Sequence, residues 1–137
     1  MKVTKQNITV ITDKKNTIKK YYRDGDNIIK PPREVYTSTI HRNEIRAWKR
    51  HKLVFVNLSV ILGEIRVIST LDLKKFQIAN VSAYSDSLIT IPPGIWYGFK
   101  GISEEAMIIN LASEVHSEEE LERISAQLGN FDWEQLT

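Results

Sequence analysis

LVFVNLSVILGEIRVIST, Leu53 to Thr70, is two apolar runs joined at a single glycine, Gly63. Valine, isoleucine and leucine dominate both runs, and the pattern repeats every second residue rather than about every 3.6, so each run reads as a strand and Gly63 as the turn between them. The first run is apolar enough to be buried, yet Asn57 and Ser59 share an alternating face with Phe55. Buried polar side chains need partners, which either a lined cavity or an ordinary hydrogen-bonded core supplies.

The same period governs the rest of the chain. NITVIT (Asn7 to Thr12), REVYTSTI (Arg33 to Ile40), FQIANVSAY (Phe76 to Tyr84), SLITI (Ser87 to Ile91) and AMIINLAS (Ala106 to Ser113) are further strand candidates. Between them stand turn signals: RDGDN (Arg23 to Asn27), KPP (Lys30 to Pro32) and PPG (Pro92 to Gly94). Many short strands without intervening helices imply an all-β antiparallel sandwich or barrel. One short C-terminal helix is expected: Ser117 and Glu120 form a capping box, Leu121, Ile124 and Leu128 a narrow apolar stripe, and Gly129 a stop. The tail NFDWEQLT carries Phe131 and Trp133, which should dock on the body or on a partner subunit. No repeat, linker or low-complexity segment divides the chain, so a single domain over 1–137 is expected.

Composition narrows the function classes. The chain has 137 residues, 42% hydrophobic and 26% charged, enough for one packed core and too few for two. Its 19 basic and 17 acidic residues leave a net charge of +2, which disfavours nucleic acid or a membrane surface as partner. Cysteine is absent, so disulfides and cysteine-ligated zinc are excluded, in keeping with a reducing compartment. With neither a signal-like apolar segment at the start nor any window near the ~20 apolar residues of a membrane span, a cytoplasmic location is expected.

Three stretches carry polar chemistry. IRAWKRHK (Ile45 to Lys52) gathers Arg46, Lys49, Arg50, His51 and Lys52 around Trp48. In a strand Lys49 and His51 share one face while Arg50 and Lys52 take the other. A solvated strand end and an anion-docking site are both open readings. IPPGIWYGFKG (Ile91 to Gly101) turns tightly and then raises Trp96, Tyr97 and Phe99 on the next strand. His116 precedes the expected helix.

Taken in order, the RxWxRHK strand entry, the Gly63-Glu64 turn, IPPGIWYGF and the HSEEE ending resemble the dTDP-4-dehydrorhamnose 3,5-epimerases and the related sugar 3,4-ketoisomerases, over roughly Glu34 to Glu120. The resemblance implies a cupin-type jelly roll and a cofactor-independent epimerase or ketoisomerase acting on a nucleotide-linked 4-keto-6-deoxy sugar in bacterial surface polysaccharide (lipopolysaccharide) synthesis. It also implies a homodimer. The arginine of the family's RGLH, a phosphate binder, matches Arg46, and its catalytic histidine matches Lys49. The histidine of PxGxxHGF matches Tyr97, the general-acid tyrosine matches His116, and a substrate-facing lysine matches Val56. No counterpart is found for the carboxylate that orients the family's histidine, and His51 offers itself as a replacement base.

A proton beside a ketone is acidified by the carbonyl; removing it takes a base titrating near neutrality and a donor for the enolate oxygen. His51 and Lys49 are the candidate bases, Tyr97 and His116 the candidate acids. Arg46, Asn57, Trp96 and Arg33 are the candidate substrate-binding residues, with Trp48 as a second stacking candidate. A non-catalytic sugar-nucleotide binder or assembly subunit is the alternative. A metal-dependent cupin would need two histidines and a carboxylate, usually with an H-x-H pair; His41, His51 and His116 form no such pair, so neither metal nor cofactor is expected.

Overall fold

Residues 1–135 are described in a computed structural model. The strands run β1 (Thr4–Asn7), β2 (Thr9–Thr12), β3 (Thr17–Lys20), β4 (Glu34–His41), β5 (Ile45–His51) and β6 (Val56–Leu62). They continue as β7 (Glu64–Thr70), β8 (Gln77–Ser82), β9 (Ser87–Ile91), β10 (Trp96–Gly101), β11 (Glu105–Ala112) and β12 (Leu121–Arg123). Two five-stranded antiparallel sheets face each other, ordered β1-β9-β6-β11-β4 and β12-β5-β10-β7-β8, and β2 and β3 form a separate ribbon. Each predicted run falls on a strand except NITVIT, which is divided, Asn7 closing β1 and Thr9–Thr12 forming β2; β3, β12 and the start of β1 have no counterpart among the predicted runs.

Alternation builds the core. Val56, Leu58 and Val60 of β6, Ile65 and Val67 of β7, Ile89 and Ile91 of β9, and Ala106, Ile108 and Ala112 of β11 fill the space between the sheets. The β6–β7 turn depends on Gly63: its φ is +78°, and a Cβ there would lie 2.3 Å from the Glu105 carbonyl oxygen.

A second, aromatic core covers the outer face of the β5–β10–β7 region. Trp48, Ile68 and Trp96 are buried under Phe76, Ile124, Phe131 and Trp133. The Trp48 ring centroid lies 5.1 Å from that of Trp133 and 6.2 Å, edge-on, from that of Phe131. The Trp48 indole N–H donates to the Leu128 carbonyl at 3.0 Å, and that of Trp133 donates to the Ala126 carbonyl at 3.2 Å. The tail therefore docks on the body of its own chain through Phe131 and Trp133. Its last two residues, Leu136 and Thr137, lie outside the described residues.

The expected C-terminal helix is corrected to a single 3-10 turn, Glu118–Glu120. Ser117 sits in extended backbone (φ −145°, ψ 125°) with no side-chain capping bond, and the chain then pairs as β12 along β5, Leu121 with His51 and Arg123 with Lys49. An isolated helix of about 12 residues is marginal in water. The open edge of β5 offers the same backbone groups a ladder, and Ile124 joins the aromatic core from extended chain.

Candidate active site

The candidate side chains meet where β5, β10, β4 and the Ser113–Leu121 segment converge. A cavity of about 510 Å³ is lined by Glu34, Val35 and Tyr36, by Lys49 and His51, and by Tyr97, His116 and Leu121. A smaller chamber of about 130 Å³ lies against it, sharing Tyr36, Lys49 and Tyr97 and adding Ser38, Arg46, Leu58, Phe99, Ile108 and Asn110. Strand parity does the positioning: Lys49 and His51 project inward, while Arg50, between them, lies over the Trp96 ring on the opposite face at 4.4 Å and pairs with Glu122.

At the centre is His51. Its Nδ1 lies 2.6 Å from Glu120 Oε1 and its Nε2 2.9 Å from the Tyr97 hydroxyl. A carboxylate accepts hydrogen bonds, so Nδ1 carries the proton and the neutral ring accepts at Nε2 from the Tyr97 O–H. Burial lowers the histidine's proton affinity, partly offset by the Glu120 hydrogen bond and charge. Burial raises the Tyr97 phenol far above its ordinary range, keeping it a protonated donor. Lys49 is held below the usual lysine range by burial and then by the nearby Arg123 and Arg46.

Glu120 is the orienting carboxylate that the sequence did not yield. The sequence pattern makes it the capping-box partner of Ser117 at the start of a helix; in the structure it is 9% exposed and also accepts the Lys52 backbone N–H at 3.3 Å. Nothing local distinguishes it from Glu118 and Glu119; only the β5–β12 pairing brings it to His51.

Of the candidates read from the sequence, Lys49, His51, Tyr97 and His116 share the larger cavity, and Arg46 lines the adjoining chamber. His116 stands at the rim, 3.1 Å from Glu118, which Arg123 also binds. Arg46 is not a free clamp: its Nε donates to Glu44 at 3.0 Å, and its Nη2 binds both Glu44 and the Thr39 carbonyl.

The other three substrate-binding candidates, Asn57, Trp96 and Arg33, line neither space. Asn57 is a satisfied core amide, donating to the Leu111 carbonyl at 3.0 Å and accepting from the Thr90 hydroxyl at 2.6 Å. Trp96 is buried in the aromatic core on the far side of the sheet, as is Trp48, the second stacking candidate. Arg33 is exposed and pairs with Glu114 at 3.3 Å. Among the described residues no three His, Asp or Glu side chains come together as a metal-binding group, and no helix is long and apolar enough to cross a membrane.

No protein-family model and no curated protein sequence matches this chain. Solved structures do. A dTDP sugar isomerase from Desulfovibrio desulfuricans G20 is 23% identical, with a TM-score of 0.84, over 96% of this chain and 90% of that one. A sugar 3,4-ketoisomerase from Thermoanaerobacterium thermosaccharolyticum, in complex with TDP, is 18% identical, with a TM-score of 0.75, over 89% and 88%. A dTDP-6-deoxy-D-glucose-3,5-epimerase from Legionella pneumophila Philadelphia 1, in complex with dTDP-4-keto-L-rhamnose, is 14% identical, with a TM-score of 0.77, over 91% of this chain and 73% of that one. The chain thus has the all-β, cupin-type jelly-roll fold of these sugar-nucleotide isomerases and epimerases.

Proposed function

We propose that the chain is a cofactor-independent isomerase that moves a proton beside the ketone of a nucleotide-linked 4-keto-6-deoxy sugar. The observation that carries this reading is His51 held between Glu120 at Nδ1 and Tyr97 at Nε2, on the wall of a cavity that also holds Lys49. A histidine fixed in one tautomer and kept neutral by burial is a general base at cellular pH. The sugar displaces the Tyr97 hydroxyl from Nε2, and the ring takes the carbon-bound proton as the C–H electrons move onto the ketone oxygen. Glu120 balances the imidazolium so formed. The Tyr97 hydroxyl and the Lys49 ammonium then stabilise the enolate oxygen; a proton delivered to the same carbon from the opposite face of the ring completes an epimerisation, whereas return of the His51 proton to the former carbonyl carbon, as the neighbouring hydroxyl proton passes to the enolate oxygen, completes a ketone shift.

Substrate recognition in this scheme falls to Lys49, Arg46 and His116. We assign the protein to surface-polysaccharide synthesis in the cytoplasm and to a single-domain homodimer. Val35, Ile61 and Leu62, exposed on β4 and β6, support the dimer, and a solution mass of twice 15.8 kDa by light scattering is expected.

The test is incubation in deuterated water with dTDP-4-keto-6-deoxyglucose. Deuterium at C3 or C5, abolished in His51→Ala, is expected. No exchange with dTDP-, UDP- or GDP-linked 4-keto sugars overturns the enzyme and leaves the non-catalytic binder.

A further inference from the structure

The inward face of β11 reads Ala106, Ile108, Asn110, Ala112: one amide in an apolar row. Asn110 is 7% exposed and lines the inner chamber. Its Nδ2 donates to the Tyr36 hydroxyl at 2.8 Å, which fixes the amide plane. Its Oδ1 is buried and accepts no hydrogen bond. An acceptor left in this state is costly, and such a group in a cavity wall is a ligand contact in waiting.

We propose that Asn110 is a specificity-determining residue whose Oδ1 accepts a hydrogen bond from a hydroxyl of the sugar ring seated in the inner chamber. This rests on the nucleotide-sugar reading and deepens it. The chemistry of the wall selects the group. A carbonyl oxygen only accepts, so the ligand must bring a proton. Lys49 and Arg46 line the same chamber, so a protonated amine would meet two cations, whereas a hydroxyl donates to Asn110 and accepts from either. At about 130 Å³ the chamber is too small for a nucleoside and suits one edge of a sugar ring. The ring position that reaches it therefore carries a hydroxyl, not a hydrogen or an amino group.

The experiment is calorimetric titration of the parent protein and of Asn110→Leu and Asn110→Asp with dTDP-glucose and with dTDP alone. Removing a hydrogen-bonding partner from a buried polar site is expected to weaken dTDP-glucose about 10- to 100-fold in Asn110→Leu, with dTDP unchanged. Asn110→Asp, which keeps an acceptor, should stay nearer the parent. Equal losses for both ligands, or no loss for either, overturn the assignment. Failure of the parent protein to bind dTDP-, UDP- or GDP-glucose overturns the nucleotide-sugar reading and this assignment with it. Should Asn110→Leu not fold, the side-chain amide resonance of Asn110 in the ¹⁵N-labelled parent decides. It must shift with dTDP-glucose and not with dTDP; resonances of His51 moving without it overturn the proposal.

Discussion

His51 and Glu120 are 69 residues apart in sequence and 2.6 Å apart between Nδ1 and Oε1. The contact follows from backbone pairing: β12 extends the sheet at β5, placing Leu121 opposite His51 and so setting Glu120 beside the ring. A short edge strand thereby supplies the group that gives the histidine a defined tautomer.

Glu120→Gln replaces a pure acceptor with an amide that can donate to Nδ1 and favour the wrong tautomer. The rate of deuterium incorporation is expected to fall about 10²- to 10⁴-fold, with dTDP-glucose affinity by calorimetry nearly unchanged. A rate within about threefold of the parent would remove Glu120 from the mechanism.

Burial lowers the folded-state proton affinity of His51, so below its ordinary value of about 6.5 the unfolded chain binds a proton that the folded chain refuses. This contribution to stability is complete above about pH 6.5 and is lost as the pH falls through the depressed folded value. Thermal unfolding scanned from pH 7 downward should show the decline, and His51→Gln should flatten it. The acid limb of the activity profile should likewise lie below about pH 6.5.

Lys49 forms no ion pair among the described residues, and burial and two arginines work against its charge. Lys49→Met is expected to lower turnover about 10- to 10³-fold while leaving the unfolding temperature equal to or above the parent's. Because the lysine loses its proton below the usual range, activity should decline on the alkaline side, and Lys49→Arg should move that limb upward. A Lys49→Met variant with full turnover would restrict the residue to packing.

Gly98 of β10 lies under the docked tail. A Cβ there would stand 2.5 Å from that of Ala47 and 3.1 Å from the Trp133 ring, so Gly98→Ala forces β5 and the tail apart. A loss of about 1–3 kcal/mol in urea unfolding is expected, with increased quenching of tryptophan fluorescence as Trp133 is released. Unchanged stability would mean that the tail adds little to the aromatic core.

Much of the architecture was legible because side-chain parity is local. Each period-two run from Arg33 to Ser113 became a strand, while the run from Asn7 to Thr12 was divided between β1 and β2; the same parity put Lys49 and His51 together and sent Arg50 away. Parity cannot say which face turns inward, which is why Trp96 and Trp48 fell under the tail rather than in the cavity. Asn57 was equally ambiguous as a buried amide, and its partners, Leu111 and Thr90, come from neighbouring strands. Asn110 did carry a signal, a lone polar residue in the alternating row Ala106, Ile108, Asn110, Ala112.

The sequence by itself determined an antiparallel β-protein, its turns, and a histidine and a lysine sharing one strand face, since propensity and alternation act over a few residues. The tertiary structure alone decided that Ser117 to Arg123 is a turn and an edge strand rather than a helix, that Glu120 is the partner of His51, and that Tyr97 closes the other side of the ring. Those outcomes depend on the free edge of β5, a surface that exists only once the sheets have formed and whose backbone ladder outweighs a weak local preference for helix.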